Sequence, residues 1–465
     1  MNTKERVTVM KRRISKNLVS GILAVLLSSA GAATAQAVDL NEALAQAYMG
    51  NPTLEAARAS LRAVDESVPE ALSGWRPSVI GQVQAGKTWV DQNTPQLLDD
   101  DFEPRSYGVT VTQPIFNGFE TVSSTSAAEK RVLSGRADLR TSEQDVLFQA
   151  VRAYMQVVRD KAVLELNRNN EEVIATQLQA TRDRFEAGEV TRTDVAQAES
   201  RLQGAVAGRI EAEGNLTASI AIYRQVIGQE PVDLTMPTEK LSLPASRDET
   251  VAQAANAPIV VSAKYLAEAV KDDIDVAFSE MLPTVSLEGS WFRNEEQSSS
   301  DGSYDEGQIL GVLRVPLYQA GAPDARVRRA KQLYHQSRRQ IEEASRSSEQ
   351  TAVDSWQALE TAEAQIVSFE EQVRATEVAL DGVKQEQLVG ARTVLDVLDA
   401  ELEALNAKVS LVEAQTTAVA ARYAVLSAVG RLTAQELALD VGIYDPTEHY
   451  DAVRNKFIGT GPSVE

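Results

Sequence analysis

Val111-Thr112-Gln113-Pro114-Ile115-Phe116-Asn117-Gly118 and Leu313-Arg314-Val315-Pro316-Leu317-Tyr318-Gln319-Ala320 are two copies of one pattern, about 202 positions apart. In each, alternating residues run into a proline and then a small residue, and a long stretch without a clear break follows. The same offset carries Gly188 onto Gly390, Thr191 onto Thr393, Asp194-Val195 onto Asp396-Val397, and Gly228 onto Gly430. Upstream, Asn51-Pro52 matches Ala257-Pro258, and Arg76-Pro77-Ser78-Val79 matches Leu282-Pro283-Thr284-Val285, at an offset of about 206. The difference falls in polar loops, where insertions are tolerated. The chain is an internal duplication.

Each copy reads helix, strand, polar loop, strand, long helix, tight turn, shorter helix. The first repeat, 38–248, holds a helix from Leu40 to Leu72, strands near 78–90 and 107–116, a long helix over 118–187, a turn at 188–193, a helix over 190–228, and an equatorial segment at 229–248. The second, 249–445, holds a helix over 249–280, strands near 284–293 and 307–317, a long helix over 321–389, a turn at 390–393 and a helix over 393–430, before a tail at 446–465. Pro77, Pro114, Pro283 and Pro316 mark the changes between helix and strand. The strands alternate with period two: Val79, Gly81, Val83, Ala85 and Trp89 share one face, as do Tyr107, Val109, Val111 and Ile115, Val285, Leu287, Gly289 and Trp291, and Ile309, Gly311, Leu313, Val315 and Leu317. Segments of about ten residues, apolar on one face and ended by Trp or Tyr, suit an outer-membrane barrel. They suit a soluble hairpin packed on a core as well. The acidic loops at 91–106, with Asp99-Asp100-Asp101, and at 294–306 favour the barrel. Four strands are too few to close one, since about eight are needed, so two or three copies must contribute.

The helices match in length. A stretch of about 70 residues is roughly 105 Å of helix, and the shorter helices sum in pairs to the same height. Leu359, Ala362, Ile366, Phe369, Val373, Thr376, Leu380 and Val383 form an unbroken heptad stripe. The helix after Gly390 carries two stripes, one through Val397, Ala404, Leu411, Ala418 and Val425, the other through Leu398, Leu405, Val412, Val419 and Leu426. Two stripes let one helix touch a neighbour on each side, as a wall of helices requires. Periodicity alone also admits an ordinary coiled-coil bundle.

Residues 1–37 combine a basic start (Lys4, Arg6, Lys11, Arg12, Arg13, Lys16), an uncharged and mostly apolar run from Leu18 to Ala33, and the small-residue sites Ala33-Thr34-Ala35 and Ala35-Gln36-Ala37. This is the form of a secretory signal peptide, and the two cleavage sites favour removal over an uncleaved anchor. The whole 465-residue chain carries a net charge of -21, with 46 Lys+Arg against 67 Asp+Glu. Loss of the segment brings the charge to about -26. Nucleic acid is therefore an unsuitable partner, since phosphate binding needs a basic face. There is no cysteine and there are two histidines, His335 and His449, expected on the surface. No metal site, cofactor site, phosphate loop or nucleophile elbow can be read, so an enzyme is not indicated.

Thr191-x-x-Asp194 and Thr393-x-x-Asp396 are capping-box patterns, each three residues after a glycine suited to the left-handed helix end. Capped hairpins need no further role. Yet Arg184-Phe185-Glu186-Ala187-Gly188-Glu189-Val190-Thr191-Arg192-Thr193-Asp194-Val195 and Val389-Gly390-Ala391-Arg392-Thr393-Val394-Leu395-Asp396-Val397-Leu398-Asp399-Ala400 resemble the periplasmic tips of the TolC family of outer-membrane efflux and secretion channels. Pro114 to Gly118 is similar to that family's barrel-to-helix transition, and the resemblance covers essentially the whole mature chain. It implies a mainly helical fold with a membrane β-barrel part: a homotrimer with a twelve-stranded barrel in the outer membrane of a Gram-negative bacterium and a twelve-helix periplasmic tunnel. It implies as partners outer-membrane lipid, a periplasmic adaptor and an inner-membrane pump of RND or ABC type, which open the tips. Carried over by position, Asp194 and Thr193 on one hairpin and Arg392 on the other would form a closing latch, and Asp396 and Asp399 acidic rings at the constriction. Gln387 stands where the family's latch has a tyrosine, which loses ring packing. The alternative is a periplasmic coiled-coil adaptor or scaffold without a barrel. Cargo, drug or protein, is not written in the chain.

Overall fold

The computed structural model describes residues 39–90, 100–238, 241–297 and 302–461. The expected signal peptide, the loop acid Asp99 and residues 298–301 of the second acidic loop lie outside them. The first repeat contains α1 (Leu40–Gly50), α2 (Pro52–Asp65), α3 (Ser67–Leu72), β1 (Ser78–Ala85), β2 (Thr88–Val90), β3 (Asp100–Phe102), β4 (Arg105–Asn117), α4 (Glu120–Glu186) and α5 (Arg192–Ile227). The second contains α6 (Arg247–Ala254), α7 (Pro258–Ser279), β5 (Thr284–Glu295), β6 (Ser303–Arg314), α8 (Ala322–Leu388) and α9 (Val394–Ala428), with α10 (Glu448–Val453) in the tail.

The two long helices have the same length, 67 residues each, or about 100 Å. Each follows a pair of left-handed residues, Gly118-Phe119 and Ala320-Gly321. At Gly118 an added Cβ would lie 2.6 Å from the Ser279 carbonyl oxygen, so the turn from β4 into α4 needs glycine there. Of the shorter helices α5 and α9 are continuous, whereas the segments before β1 and β5 are broken. The segment expected as one helix from Leu40 to Leu72 is three, broken where Asn51 Oδ1 accepts from the Thr53 amide at 2.9 Å and Pro52 opens the next helix. Asn51 Nδ2 also donates to the Val226 carbonyl at 2.9 Å, tying the break to the end of α5. Pro258 likewise opens a new helix and divides the 249–280 segment into α6 and α7, though Ala257 has no side chain to cap it.

The main sheet runs β1-β4-β5-β6, antiparallel throughout. Two strand ends differ from expectation. The strand expected to reach residue 90 stops at Ala85, and Thr88–Val90 pairs instead with β3. The strand expected over 307–317 spans 303–314, because Pro316 has no N–H to give to the ladder. Pro114 by contrast stays inside β4, at an irregularity between Pro114 and Phe116. The register places Val79, Val83, Val109, Val111, Leu287, Trp291, Ile309 and Leu313 on one face, and all are exposed. Threonine, serine and glutamine dominate the other. Among the described residues, the outer edges of β1 and β6 have no strand partner. No described helix is long and apolar enough to cross a membrane.

α9 packs against both α8 and α4, which is the use of its two stripes. The largest apolar core gathers where α1, α4, α5 and α9 meet the irregular segments after α5 and α9. Tyr154 is its centre: its hydroxyl donates to the Thr235 carbonyl at 2.8 Å and accepts from the Thr235 amide at 3.1 Å. Burial in this core pushes the neighbouring Tyr223 hydroxyl up to about 12.

His449 is not the surface residue the sequence suggests. In α10 it lies with its side chain 11 % exposed, its Nδ1 3.2 Å from Oδ2 of Asp65, which is 1 % exposed. Burial raises the Asp65 carboxyl, while the His449 hydrogen bond pulls it back down. His449→Leu strips a buried carboxylate of its partner, at an expected cost of about 3 kcal/mol near neutral pH. A raised folded value means the penalty is smallest in acid, where the carboxyl is protonated, and grows as pH rises through that value. Thermal unfolding at several pH values checks both size and sign.

Candidate functional site at the hairpin tips

Two helical hairpins end in turns that are chemically the same. After α4, Gly188 takes φ 81° and its amide donates to the Phe185 carbonyl at 2.9 Å, while the Glu189 amide reaches the Arg184 carbonyl at 2.9 Å. After α8, Gly390 takes φ 78°, its amide donates to the Gln387 carbonyl at 3.0 Å, and the Ala391 amide reaches the Glu386 carbonyl at 2.9 Å. Thr191 then caps α5 and Thr393 caps α9, each in a reciprocal capping box. Asp194 Oδ2 accepts from the Thr191 amide and hydroxyl at 2.7 Å each. Asp396 Oδ2 accepts from the Thr393 amide and hydroxyl at 2.8 Å each. Both carboxyls lie below the usual carboxylate range, Asp194 chiefly through the Thr191 hydroxyl and Asp396 chiefly through the Thr393 amide.

That depression fixes a pH dependence. The stabilisation is present above the ordinary aspartate range, about pH 4, and is lost as pH falls through the lowered folded values. Amide protection in the first turns of α5 and α9, taken relative to the intrinsic exchange rate at each pH, is expected to fall on such acidification. Thr191→Ala and Thr393→Ala should each cost about 1 kcal/mol of local helix stability at neutral pH and reduce the pH effect. Unchanged exchange in these variants would remove the capping role.

The two hairpins touch through a small apolar cluster of Ile174 and Leu178 on α4, Ala198 and Ala205 on α5, and Val394 and Leu398 on α9. Above it Arg201 on α5 forms an ion pair with Asp399 on α9. On the other flank Lys384 on α8 meets Glu401 at 2.6 Å. Thr193 is exposed. Gln387 is 8 % exposed, and its Nε2 has no hydrogen-bond partner among the described residues. Arg392 Nε donates to Glu386 Oε2 at 2.8 Å, which raises the guanidinium further. Within the protomer Arg392 and Asp194 therefore form no ion pair with each other. Asp194 keeps Oδ1 outside its own cap, with no hydrogen bond to it from a described residue.

Arg201 and Glu386 were not singled out by sequence reasoning. A signal for Arg201 was available: at the repeat offset, Arg201 falls opposite Glu403 and Asp399 opposite Gln197. The ion pair joins two positions at which the repeats diverge. Among the described residues there is no cluster of metal-ligating side chains.

The family model for outer membrane efflux proteins matches residues 43–229 and 252–431, one segment in each repeat. The chain is 35 % identical over 458 residues to the outer membrane efflux protein BepC of Brucella suis biovar 1, covering 97 % of this chain and 98 % of that protein. It is 26 % identical over 418 residues to the outer membrane protein TolC of Vibrio cholerae, covering 86 % and 92 %. Its fold matches the Campylobacter jejuni CmeC outer membrane channel with a TM-score of 0.77 at 15 % identity, over 90 % of this chain and 89 % of that one. Doubled strand pairs, matched 67-residue helices and twin capped tips thus occur in a chain that belongs to the outer membrane efflux protein family.

Proposed function

We propose that three copies of this chain form an exit duct, whose barrel crosses the outer membrane and whose helical wall descends into the periplasm. The observation that carries this is the four-stranded sheet: apolar on one face, polar on the other, and unpaired at both edges. A water-filled barrel wants that alternation, and closure by copies satisfies the edges. The duct is passive and uses no cofactor. A periplasmic adaptor and an inner-membrane pump of RND or ABC type open its tips. The likeness to the outer membrane efflux protein BepC supports an efflux role, and the likeness to the proteases secretion protein PrtF keeps protein export beside it.

At the tips, Arg392 of one hairpin meets Asp194 and Thr193 of another across a subunit boundary in the closed state, with Gln387 behind it. Asp194 Oδ1 is the acceptor open to that contact. Asp396 and Asp399 line the constriction. Gly188, Thr191, Gly390 and Thr393 hold the turns, while Pro77, Pro114, Pro283 and Pro316 set the passage between helix and strand.

Fractionation with native mass measurement tests the reading. The expected result is a detergent-requiring trimer in the outer membrane, with a deletion strain more sensitive to toxic small molecules. A mature protein that stays soluble without detergent would leave the adaptor alternative in its place. A changed secretome with unchanged drug sensitivity would assign the duct to protein export.

A further inference from the structure

α4 has a covered side and an open one. Tyr154 is fully buried, with its hydroxyl against Thr235 of the segment after α5. At about 100° per residue, Arg152 and Gln156 stand about 160° around the helix from Tyr154, and Arg159 about 140°. These three residues therefore face away from the core that the segments after α5 and α9 complete. They line a cavity of about 330 Å³ between α4 and α9, with Thr416 and Thr417 on the facing helix. Among the described residues no carboxylate lines it, although the whole chain carries a net charge of -21. Arg152 is exposed and forms neither an ion pair nor a hydrogen bond with a described residue. The side chains of Gln156 and Thr417 are likewise without a hydrogen bond to a described residue. Arg159 gives its Nε and Nη2 to one oxygen of Asp160, at 2.9 and 2.8 Å. Asp160 is 5 % exposed, so the pair fixes the guanidinium and leaves Nη1 for the cavity.

We propose that this cavity is an anion site on the lumenal wall of the duct, taking the carboxylate or phosphate group of a solute in transit. Arg152 and Arg159 supply charge-assisted hydrogen bonds to its oxygens, with the Gln156 amide and the Thr417 hydroxyl beside them. The two arginines are separated by about 10 Å of helix rise, within reach of two extended side chains closing on one oxyanion. The inference rests on the duct reading and adds a ligand class and a place on the wall. Inside a ring of helices the segments after α5 and α9 would fill the passage, so they lie outside it. The open side of α4 then faces the lumen.

The repeat limits the site to one per chain. At the offset of about 202, Arg152 falls on Asp354, Gln156 on Ala358 and Arg159 on Thr361. α8 has the same length as α4 without the arginines, so the long helix does not require them. Repeat equivalence sets the exposed Asp354 at the same height on α8. Around the wall the anion sites therefore alternate with an acid and do not merge into a continuous basic belt. Discrete, solvent-facing sites bind weakly, which suits passage, since a solute held tightly would not leave. The acidic tips attract cations, and the wall farther from them offers a foothold to the opposite sign.

Inorganic phosphate titrated calorimetrically into the detergent-purified protein at low salt should bind saturably, and added salt should weaken it. R152Q, which removes a side chain with no partner to lose, should weaken binding about tenfold with an unchanged melting temperature. Binding that never saturates, or that R152Q leaves as strong, overturns the site. Citrate should compete with phosphate. Phosphate binding that citrate leaves untouched marks a site for the inorganic ion alone and overturns the assignment to solutes in transit. The chain has no cysteine, so R152C reports its own side of the wall. A negatively charged methanethiosulfonate should change the conductance of the R152C protein in planar bilayers. Full modification by mass with unchanged conductance puts the cavity outside the lumen and overturns the placement. A parent protein that forms no channel refutes the duct reading, and the lumenal placement with it, while the phosphate titration still decides whether the anion site exists.

Discussion

Replacing Arg392 by serine is expected to raise the conductance of the purified trimer in planar bilayers several-fold over the parent, roughly the effect of freeing a latched state. Arg392 is half exposed and extends from the turn between α8 and α9. Its only ion pair among the described residues is Glu386, on its own hairpin. That contact orients the guanidinium without holding the two hairpins together. Asp194 is held by its own cap through Oδ2 alone. The arrangement presents a cation and a free carboxylate oxygen, each fixed by its own turn and each available to a neighbour. Glu386→Gln serves as the control, since it frees Arg392 without removing the charge. If Arg392→Ser leaves conductance unchanged, Arg392 is not part of the latch.

The second large effect concerns block by polyvalent cations. Asp396→Asn combined with Asp399→Asn should abolish it and weaken cation selectivity, because paired carboxylates in a narrow opening concentrate cations. Asparagine is the suitable replacement at 396, where the side chain must still accept from Thr393. The two acids should not contribute equally. Arg201 already neutralises Asp399, so Asp399→Asn alone should change block little and Asp396→Asn should carry most of the loss. Arg201→Ala, by uncovering Asp399, should strengthen block. Persistence of block in the double variant would exclude both acids from the constriction.

The two offsets, set by matched prolines, glycines and capping boxes, made the element order legible, because those residues act through local backbone geometry. The site was legible to the same depth: Thr191, Asp194, Thr393 and Asp396 do in the structure what their spacing requires. What remained hidden was long-range. Nothing near Arg392 marks Glu386 as its partner, since many acids stand within reach on a helix surface. His449 lies 384 positions from Asp65, and only the folded tail brings them together. The ends of β1 and β6 also escaped, since side-chain alternation continues past the point where backbone pairing stops. The break at Asn51-Pro52 was a near miss. Its repeat-mate Ala257-Pro258 was recognised as a match, although the helix was expected to run on through both.

The unpaired edges of β1 and β6 bear on how the protein reaches its membrane. Hydrocarbon offers no water to a strand edge, and each backbone group left without a partner there costs several kcal/mol. A single subunit would carry two such edges into the bilayer, on strands of 8 and 12 residues. Insertion one chain at a time is thus opposed by far more than the folded protomer could offset. Subunits must find one another before or during entry into the lipid, so biogenesis and assembly are a single step.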